Sequence, residues 1–328
     1  MRYLFAFSFI LTLITSCIKD IKQNTPDNGC IFPAIAPLQP YWDPVWHPNG
    51  QLLGFNYTPL AGIGISGTAP CIFYTYFGKP DSTGFYLMNK DGTGFRRVTN
   101  FTLSAPAWSP DGNWVAFSLG PAIYKMQFNG TTFDTARLIQ LTNTGANFYP
   151  SWTANSDTIY FDSNVDAPLG TSFYSIWKMA KDGTGKSRLT QSTGIGDSRQ
   201  PYVASDNRVY YYSYAANQTE IFSMNKDGSN QIQVTFNGDI NGTFTTKSSP
   251  SYYNGKIYYQ QNGLWASSIN GGPVRLESLC TTYDISTLGE IVYSKTDFSI
   301  FKYNRQIGTL WIMNADGTNN RQLTFNNF

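Results

Sequence analysis

The chain carries one histidine, His47, and four cysteines, Cys17, Cys30, Cys71 and Cys280, in 328 residues. A Ser-His-Asp or Cys-His mechanism would therefore have to run through His47. That residue sits in Trp46-His47-Pro48-Asn49-Gly50, which reads as a turn. Metal centres built on several histidines are excluded by the count. No Gly-x-Ser-x-Gly elbow occurs, since Gly62-Ile63-Gly64-Ile65-Ser66-Gly67 has a different spacing. Paired carboxylates for glycoside hydrolysis stay open among Asp81, Asp162, Asp166, Asp197, Asp239 and Asp297, but no spacing singles out a pair. The recurrent Asp-Gly pairs lack the further oxygen ligands of a Ca²⁺ loop and read as hairpin chemistry. The expectation is a protein without catalytic residues, cofactor or metal.

Composition narrows the class. Charged residues are 13% of the chain, about half the usual share. Aromatics are 16% and the formal net charge is only +2. Disorder needs the opposite balance, and nucleic-acid binding usually brings a basic excess. An ordered, aromatic-rich β protein remains.

The first residues read as targeting. Met1-Arg2 is followed by the apolar run Tyr3 to Leu13, too short to span a membrane and placed like a signal-peptide core. Ile14-Thr15-Ser16-Cys17 resembles a bacterial lipobox. The resemblance implies cleavage before Cys17 and lipidation of its thiol, with acyl chains such as palmitate holding the chain to a membrane. Ile18 stands where an inner-membrane retention signal would place Asp, which implies the outer membrane. Residues 1–16 are then a signal peptide. Residues 17–39, with Pro26, Pro33 and Pro37, are a lipidated tether.

The rest is one phrase written six times. Met88-Asn-Lys-Asp-Gly92, Met179-Ala-Lys-Asp-Gly183, Met224-Asn-Lys-Asp-Gly228 and Met313-Asn-Ala-Asp-Gly317 are near-copies. Met126 heads a variant ending in Asn129-Gly130, and Ser267 heads one ending in Asn270-Gly271. The repeat is about 45 residues, the period of a propeller or solenoid. Two places before each Met slot stands an aromatic: Tyr86, Tyr124, Trp177, Phe222, Trp265 and Trp311. This is a strand entering a hairpin. A short return strand is expected at Val98-Thr99, Leu141-Thr142, Leu189-Thr190, Val234-Thr235, Leu276-Glu277 and Leu323-Thr324. Upstream, Pro44, Pro106, Pro150, Pro201 and Pro250 recur two places before Trp46, Trp108, Trp152, Val203 and Tyr252. Ser109-Pro110-Asp111-Gly112 then supplies a tight turn into a further strand.

Each unit thus has four strands, A to D, and must stack on its neighbours. The chain resembles the TolB-type propeller family, whose repeat carries the Ser-Pro-Asp-Gly turn, over residues 40–328. The resemblance implies an all-β, six-bladed β-propeller of four-stranded antiparallel blades. TolB carries an N-terminal α/β domain where this chain has the tether.

In such a meander the A–B and C–D turns share one face. The B–C loops and D–A connections share the other, and these hold nearly all the length variation. Long loops on a rigid scaffold carry function. Tyr57, Tyr74, Tyr76, Phe173, Tyr174, Phe298 and Tyr303 on that face are the candidate contact residues, since aromatics with few charges suit sugars or proteins. An exported chain permits one disulfide among Cys30, Cys71 and Cys280. The expectation is a monomeric outer-membrane lipoprotein that binds an envelope protein or glycan without catalysis and without nucleic acid. The alternative is a carbohydrate-active enzyme using loop carboxylates.

Overall fold

A computed structural model describes residues 40–68, 71–191, 197–215, 218–236, 246–268, 272–296 and 308–325. The signal peptide and tether with Cys17 and Cys30, and the candidates Phe298 and Tyr303, lie outside these residues.

The propeller has six blades of four antiparallel strands. Blade 1 begins with β1 (Tyr41–Trp46) and β2 (Leu52–Tyr57). Its B–C connection forms a separate two-stranded sheet from β3 (Leu60–Thr68) and β4 (Cys71–Gly78), where irregular loop was expected. The blade resumes with β5 (Gly84–Asn89) and β6 (Arg96–Arg97). Blade 2 is β7 (Ser104–Trp108), β8 (Trp114–Leu119), β9 (Ala122–Gln127) and β10 (Ile139–Gln140). Blade 3 is β11 (Asn147–Trp152), β12 (Thr158–Ser163), β13 (Ser175–Ala180) and β14 (Ser187–Arg188). Blade 4 is β15 (Ser198–Val203), β16 (Arg208–Ala215), β17 (Gln218–Asn225) and β18 (Ile232–Gln233). Blade 5 is β19 (Ser248–Tyr253), β20 (Lys256–Gln260), β21 (Leu264–Ser268) and β22 (Val274–Glu277). Blade 6 is β23 (Cys280–Ile285), β24 (Glu290–Thr296), β25 (Gly308–Asn314) and β26 (Arg321–Gln322).

The repeated phrase has three physical jobs. Its methionines are core: Met88, Met126, Met179, Met224 and Met313 are at most 1% exposed. Its Asp closes the turn by accepting from the Ser or Thr after the glycine. Asp91 takes both the amide and hydroxyl of Thr93, and Asp227 does the same with Ser229. These bonds hold the Asp91 and Asp227 carboxyls below their ordinary range. Finally, the residue before the Asp offers its carbonyl to the preceding blade. Lys125 Nζ donates to Lys181 O, Tyr160 Oη to Lys226 O, Tyr258 Oη to Ala315 O and Arg321 Nη2 to Lys90 O. The turn therefore fastens blades as well as reversing the chain.

The outer strands end on the residue just before the expected Leu-Thr or Val-Thr pairs, because the Thr has another task. Thr99, Thr142, Thr190, Thr235 and Thr324 each accept, through Oγ1, an amide at the start of their blade's C strand. Blade 5 has Glu277 in this slot and a longer outer strand. Thr190→Val would leave the buried Ile176 amide without its hydroxyl acceptor at 2.8 Å. Urea unfolding should show a loss of about 1–3 kcal/mol.

Among the described residues no strand is exchanged between blades 1 and 6, and side chains join the two. Tyr41, Trp46, Leu53, Phe55, Tyr86 and Met88 of blade 1 form one cluster with Val292, Leu310, Ile312 and Leu323 of blade 6. Ser294 Oγ donates to Tyr41 O at 2.7 Å, and Lys90 pairs with Glu290 at 3.2 Å.

Candidate binding site at the axial cavity

The innermost strand of every blade carries a register shift. In blades 1 to 5 it falls between Trp42 and Val45, Ser104 and Ala107, Phe148 and Ser151, Arg199 and Tyr202, and Ser248 and Ser251. The recurrent proline sits inside each bulge, where its missing N–H breaks no ladder bond. The residue before it is left-handed: Asp43 (φ 47°), Ala105 (48°), Tyr149 (55°), Gln200 (53°) and Ser249 (50°). Blade 6 lacks the proline, and no β23 residue has positive φ.

The bulges free amides that side chains of the neighbouring blade bind. Asp43 Oδ2 accepts from Ala105 N at 3.0 Å, and Gln200 Oε1 from Ser249 N at 2.6 Å. Asp162 Oδ2 accepts from Gln200 N at 3.1 Å, and Asp284 Oδ2 from Trp46 N at 2.7 Å. The result is a belt of hydrogen bonds that ties the inner strands to their neighbouring blades.

Inside this belt runs a cavity of about 450 Å³, lined by the inner strands of all six blades and, towards the A–B turns, by His47, Pro48, Pro110, Ser286 and Thr287. Its ionisable acids are Asp43 and Asp284, and no Lys or Arg lines it. Burial pushes the carboxyls of both up to about 6, against the pull of the Ala105 amide on Asp43 and the Trp46 amide on Asp284. Trp46 and Trp108 also line the cavity, and their enclosed indole N–H groups have no acceptor among the described residues.

The ends of the inner strands nearest the long loops form a rim at blades 3 and 4. Arg199 lies with its guanidinium 4.0 Å from the Tyr174 ring centre and about 6 Å from the rings of Phe148 and Tyr149. Its Nε donates to Asp162 Oδ2 at 3.3 Å. Asp162 is fully buried, and its Oδ1 has no partner among the described residues. Burial lifts its carboxyl to about 6 although Arg199 pulls it down. Asp197 Oδ1 accepts the Tyr174 amide at 2.7 Å, fixing the aromatic. Tyr149 is 36% exposed and belongs to both rim and cavity wall.

The sequence candidates do not converge. Tyr174 is in the rim, with half-buried Phe173 next to it in the chain. Tyr57 stacks on Tyr41 at 4.8 Å and meets Tyr86 and Phe95 edge-on, so it packs blade 1. Tyr74 and Tyr76 lie on β4, and Phe298 and Tyr303 lie outside the described residues. Asp43, Tyr149, Arg199, Gln200 and Asp284 were missed. The signal for three of them was present, because Asp43, Tyr149 and Gln200 each precede the repeated proline.

His47 is placed at the opposite end, in the A–B turn of blade 1. Its Nδ1 accepts from Asn49 N and its Nε2 faces Gly112 O, each at 3.2 Å. That pairing assigns the proton to Nε2. The ring sits edge-on to Trp108 at 4.6 Å. Gly112 has φ 74°, and a side-chain carbon there would lie 2.8 Å from His47 Nε2.

No family model and no curated protein matches the sequence. Solved structures match the fold. TolB from Acinetobacter baumannii is 20% identical, with 73% of this chain and 59% of that chain covered and a TM-score of 0.53. Oligogalacturonate lyase from Vibrio parahaemolyticus is 12% identical, over 87% and 77% of the two chains, with a TM-score of 0.52. The propeller domain of the trilobed protease from Pyrococcus furiosus, described as having an open velcro topology, is 13% identical over 88% and 96%, with a TM-score of 0.51. The same blades thus serve proteins named for quite different activities, and the fold does not choose among them. What the chain shares with TolB is its architecture, a six-bladed β-propeller of four-stranded antiparallel blades.

Proposed function

We propose that the protein is a non-catalytic, lipid-anchored envelope protein that binds a partner protein at the long-loop end of its axial cavity. The observation that carries this is the rim: Arg199 stacked on Tyr174 beside a half-open Tyr149, above a buried carboxylate. Arg and Tyr are the residues that dominate protein interfaces when held rigidly. Asp162, Asp197 and the inner-strand bulges hold them here. The anchor is Cys17, and the site of action is the outer membrane, facing the periplasm or the exterior. Among the described residues no helix is long and apolar enough to cross a membrane. The chain works as a monomer and takes neither cofactor nor nucleic acid.

Cys17→Ala should move the protein from membrane to soluble fractions, and unchanged retention would refute the anchor. Arg199→Ala with Tyr174→Ala should weaken partner capture at least about tenfold, read by quantitative pull-down of the purified partner. Unchanged capture would refute the rim.

One observation favours a second reading. Carboxyls raised to about 6 beside an aromatic-walled cavity are what a glycoside hydrolase needs for its acid. Turnover of an oligosaccharide, abolished by Asp43→Asn or Asp284→Asn, would establish that reading over the non-catalytic one.

A further inference from the structure

We propose that the axial cavity receives a primary ammonium or guanidinium group, carried on a basic side chain of an extended partner segment, with Asp43 and Asp284 as its counter-ions. This names the chemistry of the partner and rests on the binding reading above.

The charge of the wall is the first argument. Of the residues lining the cavity, two are carboxylates, one is a histidine, His47 in the A–B turn of blade 1, and none is Lys or Arg. A third carboxylate, Asp162, lies against the same wall through its bond to the Gln200 amide, and Asp197 lies beside Tyr174. The cation at the rim, Arg199, is already engaged by Asp162 and by Tyr174. The neighbourhood is therefore negative. Low-dielectric protein walls around a cavity focus such a field on whatever enters it.

Burial is the second. Asp162 is 0% exposed and has an orphaned Oδ1, while burial disfavours charge on Asp43 and Asp284. Carboxylates held in this state are compensated by a donor that brings positive charge. The orphaned indole N–H groups of Trp46 and Trp108 are neutral and offset none of it.

Size and surface chemistry select the form of the cation. About 450 Å³ admits a side chain and a few waters but not a helix, whose diameter is about 10–12 Å. Tyr149, a half-open residue of the cavity wall, offers an aromatic face to an ammonium or guanidinium. Among the described residues no three metal-ligating side chains cluster, so the wall is not built as a metal cage.

The test is calorimetric titration of the folded protein with a blocked lysine-containing pentapeptide. Its arms are the same peptide with Nε-acetylated lysine, the peptide with Glu for Lys, and CaCl₂ alone. The lysine peptide should bind with a dissociation constant below about 1 mM. Acetylation should abolish binding, and the double variant Asp43→Asn, Asp284→Asn should weaken it at least about tenfold. Circular dichroism checks that the variant is folded. No binding below about 1 mM, equal binding by the acetylated or Glu peptide, or unchanged binding by the folded variant would overturn the inference. So would heat from CaCl₂ without heat from the peptide. A partner that still cross-links at Tyr149 in the double variant, with undiminished yield, sinks the cation inference while leaving the binding reading intact. Asp-dependent peptide binding with no partner at Tyr149 does the reverse.

Discussion

Phe55→Ala should destabilise the propeller by about 3–5 kcal/mol, measured by urea unfolding. Phe55 is 0% exposed and packs within the cluster that joins blade 1 to blade 6. Its ring centre lies 5.9 Å from Tyr41, 6.1 Å from Tyr86 and 5.5 Å from Phe95. Removing it costs the transfer energy of the ring plus that of the cavity left behind. The location matters as much as the size. Among the described residues the ring has no exchanged strand, so this cluster and the bonds made by Ser294, Arg321, Asp284 and the Lys90–Glu290 pair hold its seam shut. Amide hydrogen exchange should therefore rise first in β1 and β25. As a control, Phe236→Ala at a 64% exposed ring should cost less than about 0.5 kcal/mol. A loss below about 1 kcal/mol for Phe55→Ala would mean that the seam is held elsewhere.

Asp43→Asn and Asp284→Asn should each stabilise the protein at pH 7.5 by roughly 1–2 kcal/mol, raising Tm by about 2 °C or more. The gain should shrink at pH 5 and vanish only below about pH 3.8. Asn still accepts the neighbouring blade's amide, so only the charge is removed. Both carboxyls titrate near 6 when folded, against an ordinary value of 3.8. Folding therefore favours their protonated forms. Their contribution is full below about 3.8, falls as pH rises through about 6, and is gone above it. The groups facing them are tyrosines: Tyr149 near Asp43, and Tyr202 and Tyr283 near Asp284. These stay neutral across the range. The turn carboxylates Asp91, Asp182, Asp227 and Asp316 are shifted downward, so they give up stability only below about pH 4. Wild-type stability should thus rise from pH 7.5 to 5, and a fall over that window would contradict the account. A carboxylate kept charged at a cost to folding marks a site held for something other than folding.

The sequence showed the architecture and little of the site, for physical reasons. Met88 and its four counterparts, with the Asp-Gly turns, recur because each blade must solve the same packing and hairpin problem. Repetition made that visible. The Thr of the return strands was visible too, but its hydroxyl bond to the C strand was not, since Leu-Thr also reads as ordinary strand. Trp152 and Pro150 marked the inner strand, yet the proline signals a bulge more than a strand start. The bulge turns Asp43, Tyr149 and Gln200 into left-handed wall residues. Arg199 stood unremarked beside Gln200 because Asp162 reaches it from β12 and Tyr174 from the connection before β13. Tyr57 shows the converse error: an aromatic on the loop side that is spent on its own blade.

The most direct test of the binding account is site-specific photo-cross-linking in intact cells. A photoreactive phenylalanine placed at Tyr149, in the cavity wall at the rim, is compared with one at Asn113, exposed in an A–B turn on the opposite face. The account predicts a discrete adduct at Tyr149 that disappears with Arg199→Ala, and none at Asn113. An adduct at Asn113 with none at Tyr149 would contradict it.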